Sequence, residues 1–124
     1  MITYNYINVI KDDFKLILTL DRPENRNAFT PTMVNEIQDA FNEANMDEEV
    51  KLVIIKANGP IFCAGMDLKT FENPALDNFN AAIIPQDISL GEVFDKLHKP
   101  SIALVEGNVI AGGFMILLGC TYVF

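Results

Sequence analysis

The chain has 124 residues, half of them hydrophobic, and a formal charge of −8 from 17 acidic and 9 basic residues. This length is common for one domain. The acidic balance, without a block of basic residues, argues against nucleic acid or an anionic membrane as a partner. The chain start resembles no signal peptide, and the apolar stretch 109–118 is too short to cross a bilayer, so we expect a cytoplasmic protein without membrane association.

The first third of the chain predicts two strands and a helix. Residues 4–10 and 14–20 are rich in β-branched and aromatic side chains and are separated by 11–13, which indicates a hairpin. Thr30 and Pro31 are typical of an N-cap and a first helical position. The apolar residues that follow repeat at helical spacing on one face: Met33, Val34, Ile37, Ala40, Phe41 and Ala44.

The middle of the chain predicts a strand, a loop and a second helix. Residues 50–57 form a β-branched run closed by a turn sequence, which indicates a buried strand. Periodicity then fails over 69–87, where we expect a mobile loop or irregular short helices. Ser89 and Glu92 make a capping box for a helix that would end near His98.

The last quarter predicts a core strand at 101–105, a glycine-bounded turn at 107–113, an apolar helix from 114 to 118 and a strand opening at 122–124. The alternation of strands and helices along the chain predicts an α/β architecture. Cys63, Cys120 and the single His98 match no disulfide or zinc-ligand spacing, so we expect no metal site.

Two segments share the order of a buried strand, a glycine turn and a helix start. They are 53–56 leading to 62–68, and 102–105 leading to 107–113. Glycine permits close backbone approach, and the free N–H groups at a helix start point outward. Tight packing of a strand against a helix is the simpler explanation for either turn alone. Two such turns side by side would make an oxyanion hole.

Four motifs together cover almost the whole chain. They are LDRPENRNAF at 20–29, FCAGMDL at 62–68, KPSIA at 99–103, and the glycine turn with EG at 106–107 and AGG at 111–113. In order and spacing they resemble the crotonase, or enoyl-CoA hydratase/isomerase, family. The resemblance implies a spiral of repeated ββα units, of which 1–124 would be an incomplete N-terminal portion, and a homotrimer or hexamer for the full-length form.

The resemblance also implies a substrate and a site. The substrate would be a coenzyme A or acyl-carrier-protein thioester lying in an extended groove, with no prosthetic group. The backbone amides of Met66 and Gly112 would polarise the thioester carbonyl and stabilise an enolate. The residues implied around the coenzyme A are Arg26, Asn27, Ala28, Cys63, Ala64, Asp67 and Leu68, with the Ala64 carbonyl offered to the adenine.

One position departs from a two-glutamate hydratase. Met115 stands where the family carries its first catalytic glutamate, and a thioether cannot transfer a proton. The second glutamate would lie beyond Phe124. The sequence therefore favours isomerase or dehydratase chemistry in fatty acid or polyketide metabolism. The alternative is a catalytically silent acyl-CoA-binding or assembly module.

Several side chains have two explanations. Arg26, Lys69 and Lys11 are the basic residues expected to contact the coenzyme A phosphates, although each is equally typical of a solvated surface. Asp67 is expected mainly to organise its turn. The Met66 side chain would pack into the core or line the acyl pocket.

Overall fold

The structure, a computed structural model, describes residues 3–106, 108, 109 and 119–124. The strands are β1 (Ile7–Asp12), β2 (Lys15–Leu20), β3 (Leu52–Ala57), β4 (Ile61–Cys63), β5 (Ser101–Ala103), β6 (Asn108–Val109) and β7 (Tyr122–Val123). The helices are α1 (Pro31–Met46), α2 (Leu68–Glu72) and α3 (Leu90–Asp95), with 3-10 turns at Pro23–Asn25 and Pro74–Leu76. None of the helices in those ranges has the length and apolarity that crossing a membrane requires.

The larger sheet has the strand order β1-β2-β3-β5-β7, and β4 and β6 form a second, smaller sheet. β1 and β2 are antiparallel, whereas β2, β3, β5 and β7 are parallel to their neighbours. After β3 and again after β5 the chain enters the smaller sheet, whose two strands are also parallel. This repetition confirms the expected α/β fold of the crotonase-like ββα spiral. The helix expected at 114–118 lies outside the described residues.

Helix α1 forms where its sequence predicts it. The Thr30 hydroxyl accepts a hydrogen bond from the Met33 amide at 3.0 Å, and Pro31 occupies the first turn. The six apolar residues of the predicted face are all at most 3% exposed. Their burial against the sheet supplies the stability that a 16-residue helix lacks by itself. Phe41 also meets Phe94 of α3 edge to face at 5.1 Å.

The first hairpin begins and turns later than predicted. β1 starts at Ile7 rather than at residue 4, because the amides of Asn5 and Tyr6 donate to the Glu36 carboxylate of α1. The turn consists of residues 13 and 14 alone, and Asp13 adopts a φ of 58°. Asp tolerates this left-handed conformation better than most residues, which allows the tight turn.

Three other elements are shorter than predicted. β3 begins at Leu52, because the Val50 amide is used in a turn to the Asp47 carbonyl. α3 starts with the predicted Ser89 cap but ends at Asp95, and β5 ends at Ala103. His98 lies beyond α3, where its amide donates to the Asn45 side chain at 2.8 Å.

Segment 69–87 contains short irregular helices and is attached to the rest of the fold by several hydrogen bonds, among them those of Asp77 and Asn80. Asp77 accepts from the Thr32 amide at 2.9 Å and from the Tyr6 hydroxyl at 2.7 Å. Asn80 donates to Glu36 at 2.8 Å. The segment is therefore held against the N-terminal half of α1, which positions α2 beside the site described next.

Candidate active site

Two segments that are far apart in the sequence, 26–29 and 63–67, lie side by side. Their contact depends on main-chain groups, so it places few demands on side-chain identity. The hydrogen bonds that join them run from Ala64 N to Arg26 O (3.0 Å), from Phe29 N to Gly65 O (2.8 Å), from Asp67 N to Phe29 O (2.9 Å) and from the Cys63 thiol to Asn27 O (3.3 Å).

The Met66 amide lies at the centre of this junction. Phe29 and Met66 form a parallel bridge. In it the Phe29 amide donates to the Gly65 carbonyl, and the Phe29 carbonyl accepts from the Asp67 amide. In such a bridge the N–H and C=O of the middle residue point away from the partner strand. Among the described residues, the Met66 N–H accordingly meets no acceptor. The Met66 side chain is 47% exposed and so is not a core side chain in the described structure.

Segment 26–29 owes its shape to two consecutive left-handed residues, Arg26 (φ 57°) and Asn27 (φ 54°). The fully buried Asn27 side chain holds them in place. Its oxygen accepts from the Arg22 amide at 2.8 Å, and its NH₂ group donates to the carbonyls of Asn58 at 2.7 Å and Ile61 at 2.9 Å. The Asn27 main chain is bonded as well, its amide to the Arg22 carbonyl at 2.9 Å and its carbonyl to the Cys63 thiol at 3.3 Å.

The Asp67 carboxylate is occupied by an ion pair. It accepts from the Arg22 guanidinium at 2.8 Å, and the same nitrogen donates to the Ala28 carbonyl at 2.9 Å. These bonds join Asp67 to segment 26–29. The expected contact of Asp67 with coenzyme A stays a prediction.

The remaining predicted residues divide by exposure. Arg26 and Leu68 are exposed, Ala28 and Ala64 are half-buried, and Cys63 is buried. Burial raises the pKa of the Cys63 thiol, although a hydrogen bond from the Gly65 amide opposes the shift. A buried neutral thiol is a poor nucleophile. The Cys63 side chain therefore packs in the core and takes no part in nucleophilic chemistry.

Gly112, the expected second amide donor, and Met115 lie outside the described residues. Lys11 is described, and its amine pairs with Asp47 at 2.9 Å and with Glu49 at 3.6 Å. It sits beside the start of β2, whereas segment 26–29 follows the end of β2. The structure therefore does not bring Lys11 to Arg26.

A cavity of about 610 Å³ between β1 and α1 lies away from this junction. Its lining includes four carboxylates and a single basic side chain, that of Lys11. An anionic ligand such as coenzyme A would be repelled there. The volume of this cavity is therefore no argument that it binds coenzyme A.

Sequence reasoning missed Arg22 as a site residue, although it stands inside the motif at 20–29. The only signal was a basic residue directly before a proline. Its partner Asp67 is 45 positions away, and nothing local marks the two as a pair.

Comparison with known proteins identifies the family. The family model for enoyl-CoA hydratase/isomerase matches residues 15–124, which is most of the chain. The chain belongs to the enoyl-CoA hydratase/isomerase family. Its junction of 26–29 with 63–67 is thus part of a crotonase fold.

Two curated relatives and one solved structure illustrate the similarity. Enoyl-CoA hydratase EchA19 of Mycobacterium tuberculosis is 39% identical over 106 residues, which are 84% of this chain and 40% of that protein. Probable enoyl-CoA hydratase 1, peroxisomal, of Arabidopsis thaliana is 29% identical over 96% of this chain and 44% of its own length. An enoyl-CoA hydratase/isomerase structure from Pseudoalteromonas atlantica superposes with a TM-score of 0.82 at 30% identity, covering 96% of this chain and 46% of that one.

This crotonase-family chain therefore spans less than half the length of these relatives. The fold and the family follow from the match. The activity of the whole protein, its substrate, its oligomeric state and its cellular compartment are matters of proposal.

Proposed function

We propose that this protein binds an acyl-CoA or acyl-carrier-protein thioester and stabilises the enolate formed from it, in isomerase or dehydratase chemistry. The single observation that carries the proposal is the Met66 amide, which finds no acceptor among the described residues. Free donors held in fixed geometry are what an oxyanion requires. The Gly112 amide is proposed as the second donor. Family members act without a prosthetic group, and we propose the same here.

The fixed geometry around Met66 supports this proposal. Hydrogen bonds on both sides of Met66 restrict the direction of its N–H: the Phe29 amide donates to the Gly65 carbonyl, and the Asp67 amide donates to the Phe29 carbonyl. A donor that is already oriented does not reorganise during the reaction. The exposed Arg26, and Lys69 on α2, are proposed contacts for the coenzyme A phosphates.

The Met66 amide is tested by comparing Met66→Pro with Met66→Ala. Proline removes the N–H without removing a hydrogen bond of the described fold, and the preceding Gly65 has no Cβ to clash with the ring. We expect Met66→Pro to abolish the downward shift of the thioester C=O stretch when carbonyl-¹³C crotonyl-CoA binds, measured by infrared difference spectroscopy. We expect Met66→Ala, which keeps the amide, to retain this shift.

Coenzyme A without an acyl group provides the internal control. It has no thioester carbonyl, so its dissociation constant by isothermal titration calorimetry is expected to be the same for both variants and the parent chain. Absence of binding heat for both coenzyme A and crotonyl-CoA with the parent chain would refute the proposal. An undiminished carbonyl shift in Met66→Pro would refute the role of this amide.

The alternative function is a catalytically silent acyl-CoA-binding or assembly module. Met115, in place of the first family glutamate, favours it. Such a module would bind coenzyme A and crotonyl-CoA but would leave the acyl group chemically unchanged. Because the Met66 amide would still polarise a bound carbonyl, turnover of the thioester, followed by proton NMR, is the measurement that separates the two functions.

A further inference from the structure

Arg22 contacts both segments of the site through one guanidinium nitrogen and through its main chain. Its side chain is bonded to Asp67 and Ala28, at 2.8 and 2.9 Å. Its amide donates to the Asn27 side chain, and its carbonyl accepts from the Asn27 amide at 2.9 Å. One residue thus bridges segment 26–29 and segment 63–67.

The Arg22–Asp67 ion pair is enclosed. The two side chains are 10% and 15% exposed, and the Arg22 guanidinium lies over the Tyr6 ring at 5.4 Å. A buried ion pair adds little net stability compared with an apolar pair of the same volume, because both charges lose their hydration. Stability alone therefore does not account for a charged pair at this position.

The ion pair restricts the orientation of Asp67. Asp67 is held at its amide by the Phe29 carbonyl and at its carboxylate by Arg22. A residue fastened at both its main chain and its side chain cannot rotate freely. The Met66–Asp67 peptide carries the Met66 carbonyl, and its Asp67 N–H donates to Phe29, which fixes that side of Met66. The Met66 N–H belongs to the Gly65–Met66 peptide, whose carbonyl accepts from the Phe29 amide. The Ala28–Phe29 peptide is in turn held at the Ala28 carbonyl by the Arg22 guanidinium.

We infer that Arg22 is a positioning residue that acts through the Ala28 carbonyl and through Asp67, on the two sides of Met66, to hold the Met66 amide in the direction of the thioester carbonyl. This inference rests on the proposed function. Through the Ala28 carbonyl, the same guanidinium keeps the proposed coenzyme A segment in register with the proposed oxyanion turn. Arg22 itself does not touch the reacting atoms.

The test uses Arg22→Gln and Asp67→Asn in the complete chain, with carbonyl-¹³C crotonyl-CoA. Asp67→Asn keeps the volume and one acceptor oxygen, so it can fold even where Arg22→Gln does not. We expect both variants to reduce the infrared carbonyl shift to less than about half its parent value, since oriented donors lose effect when their geometry loosens. Arg22→Lys keeps a cation without the planar fork and is expected to restore part of the shift.

A variant that is destabilised at a position away from the junction serves as the control, because it separates loss of positioning from loss of stability. Val34→Ala removes two methyl groups from the buried face of α1, away from the junction. It is expected to lower the melting temperature and to leave the carbonyl shift intact. Full shifts in both Arg22→Gln and Asp67→Asn would overturn the inference while leaving the proposed function standing. No shift in the parent chain would overturn both.

Discussion

Replacing Glu36 by Ala is expected to lower the free energy of unfolding by at least about 3 kcal/mol, because it removes the acceptor of several buried donors. The Glu36 side chain is fully buried. It accepts from the Asn5 amide at 2.6 Å, from the Tyr6 amide at 2.8 Å and from the Asn80 side chain at 2.8 Å. Without the carboxylate these groups have no partner in the cavity that is left. Urea denaturation followed by circular dichroism measures the change.

The control is another glutamate on the same helix. Glu43 is exposed, and within the described residues its carboxylate accepts no hydrogen bond; only its carbonyl accepts, from the Asp47 amide. Glu43→Ala is expected to change the free energy of unfolding by no more than about 0.5 kcal/mol. A loss below about 1 kcal/mol in Glu36→Ala would contradict the role given to this carboxylate, since one unsatisfied buried group already costs that much.

Glu36 should also give the protein a pH dependence. Burial raises the pKa of Glu36 above its ordinary 4.5, although hydrogen bonds from Asn5, Asn80 and Tyr6 oppose the shift. Between 4.5 and the raised pKa the folded state binds more protons than the unfolded state, so stability falls as the pH rises. We expect the stability of the parent chain relative to Glu36→Gln to decrease as the pH rises from 4.5.

Asp77 does not interfere in that pH range. Burial alone would raise its pKa, but hydrogen bonds from Thr32, Tyr6 and Thr30 outweigh burial and lower the pKa below 3.8. Its contribution to stability is therefore lost only as the pH falls below 3.8. A difference between the parent chain and Glu36→Gln that stays constant from pH 4.5 upward would contradict the Glu36 assignment.

Asn27→Ala is expected to cost about 3 kcal/mol of unfolding free energy, from lost buried hydrogen bonds and a strained backbone. The side chain makes one bond as an acceptor and two as a donor, and the residue is left-handed at φ 54°. Segment 26–29 would lose its shape. Coenzyme A affinity by calorimetry is therefore expected to fall together with the melting temperature.

Two further variants separate the causes. Asn27→Gly loses the same hydrogen bonds but adopts positive φ freely, so it should be about 1 kcal/mol more stable than Asn27→Ala. Asn25→Ala changes an exposed asparagine of the adjacent 3-10 turn and is expected to have an effect within about 0.5 kcal/mol. Equal stabilities for Asn27→Ala and Asn27→Gly would show that the backbone conformation carries no part of the cost.

Much of the fold was predictable because it follows from local patterns. The Thr30 cap, the buried face of α1 and the Ser89 cap involve residues within a few positions of one another, and the structure confirms them. The ends of elements were predicted less well. β1 begins late because Glu36 of α1 takes the amides of Asn5 and Tyr6, and the His98 amide beyond α3 donates to Asn45, whereas a local turn delays the start of β3.

In the candidate site, too, local patterns were predictable and distant contacts were not. The motifs containing Met66 and Arg26 predicted which segments matter, and the structure brings those two segments together. The roles of individual side chains were less visible. The motifs implied Asn27 as a coenzyme A contact and Asp67 mainly as an organiser of its turn. Both are occupied by contacts with Arg22 and with the main chain.

By itself, the sequence determined the main-sheet strands, helices α1 and α3, the caps and the family, because each depends on residue type and short spacing. The short strands β4 and β6 lie where the sequence predicted glycine turns. Only the tertiary structure decided that the Met66 amide meets no acceptor among the described residues, while its neighbours bind Phe29. The Phe29 bridge and the Arg22–Asp67 pair join positions 37 and 45 residues apart. Such contacts form only when the sheet brings the two segments together, so no local pattern encodes them.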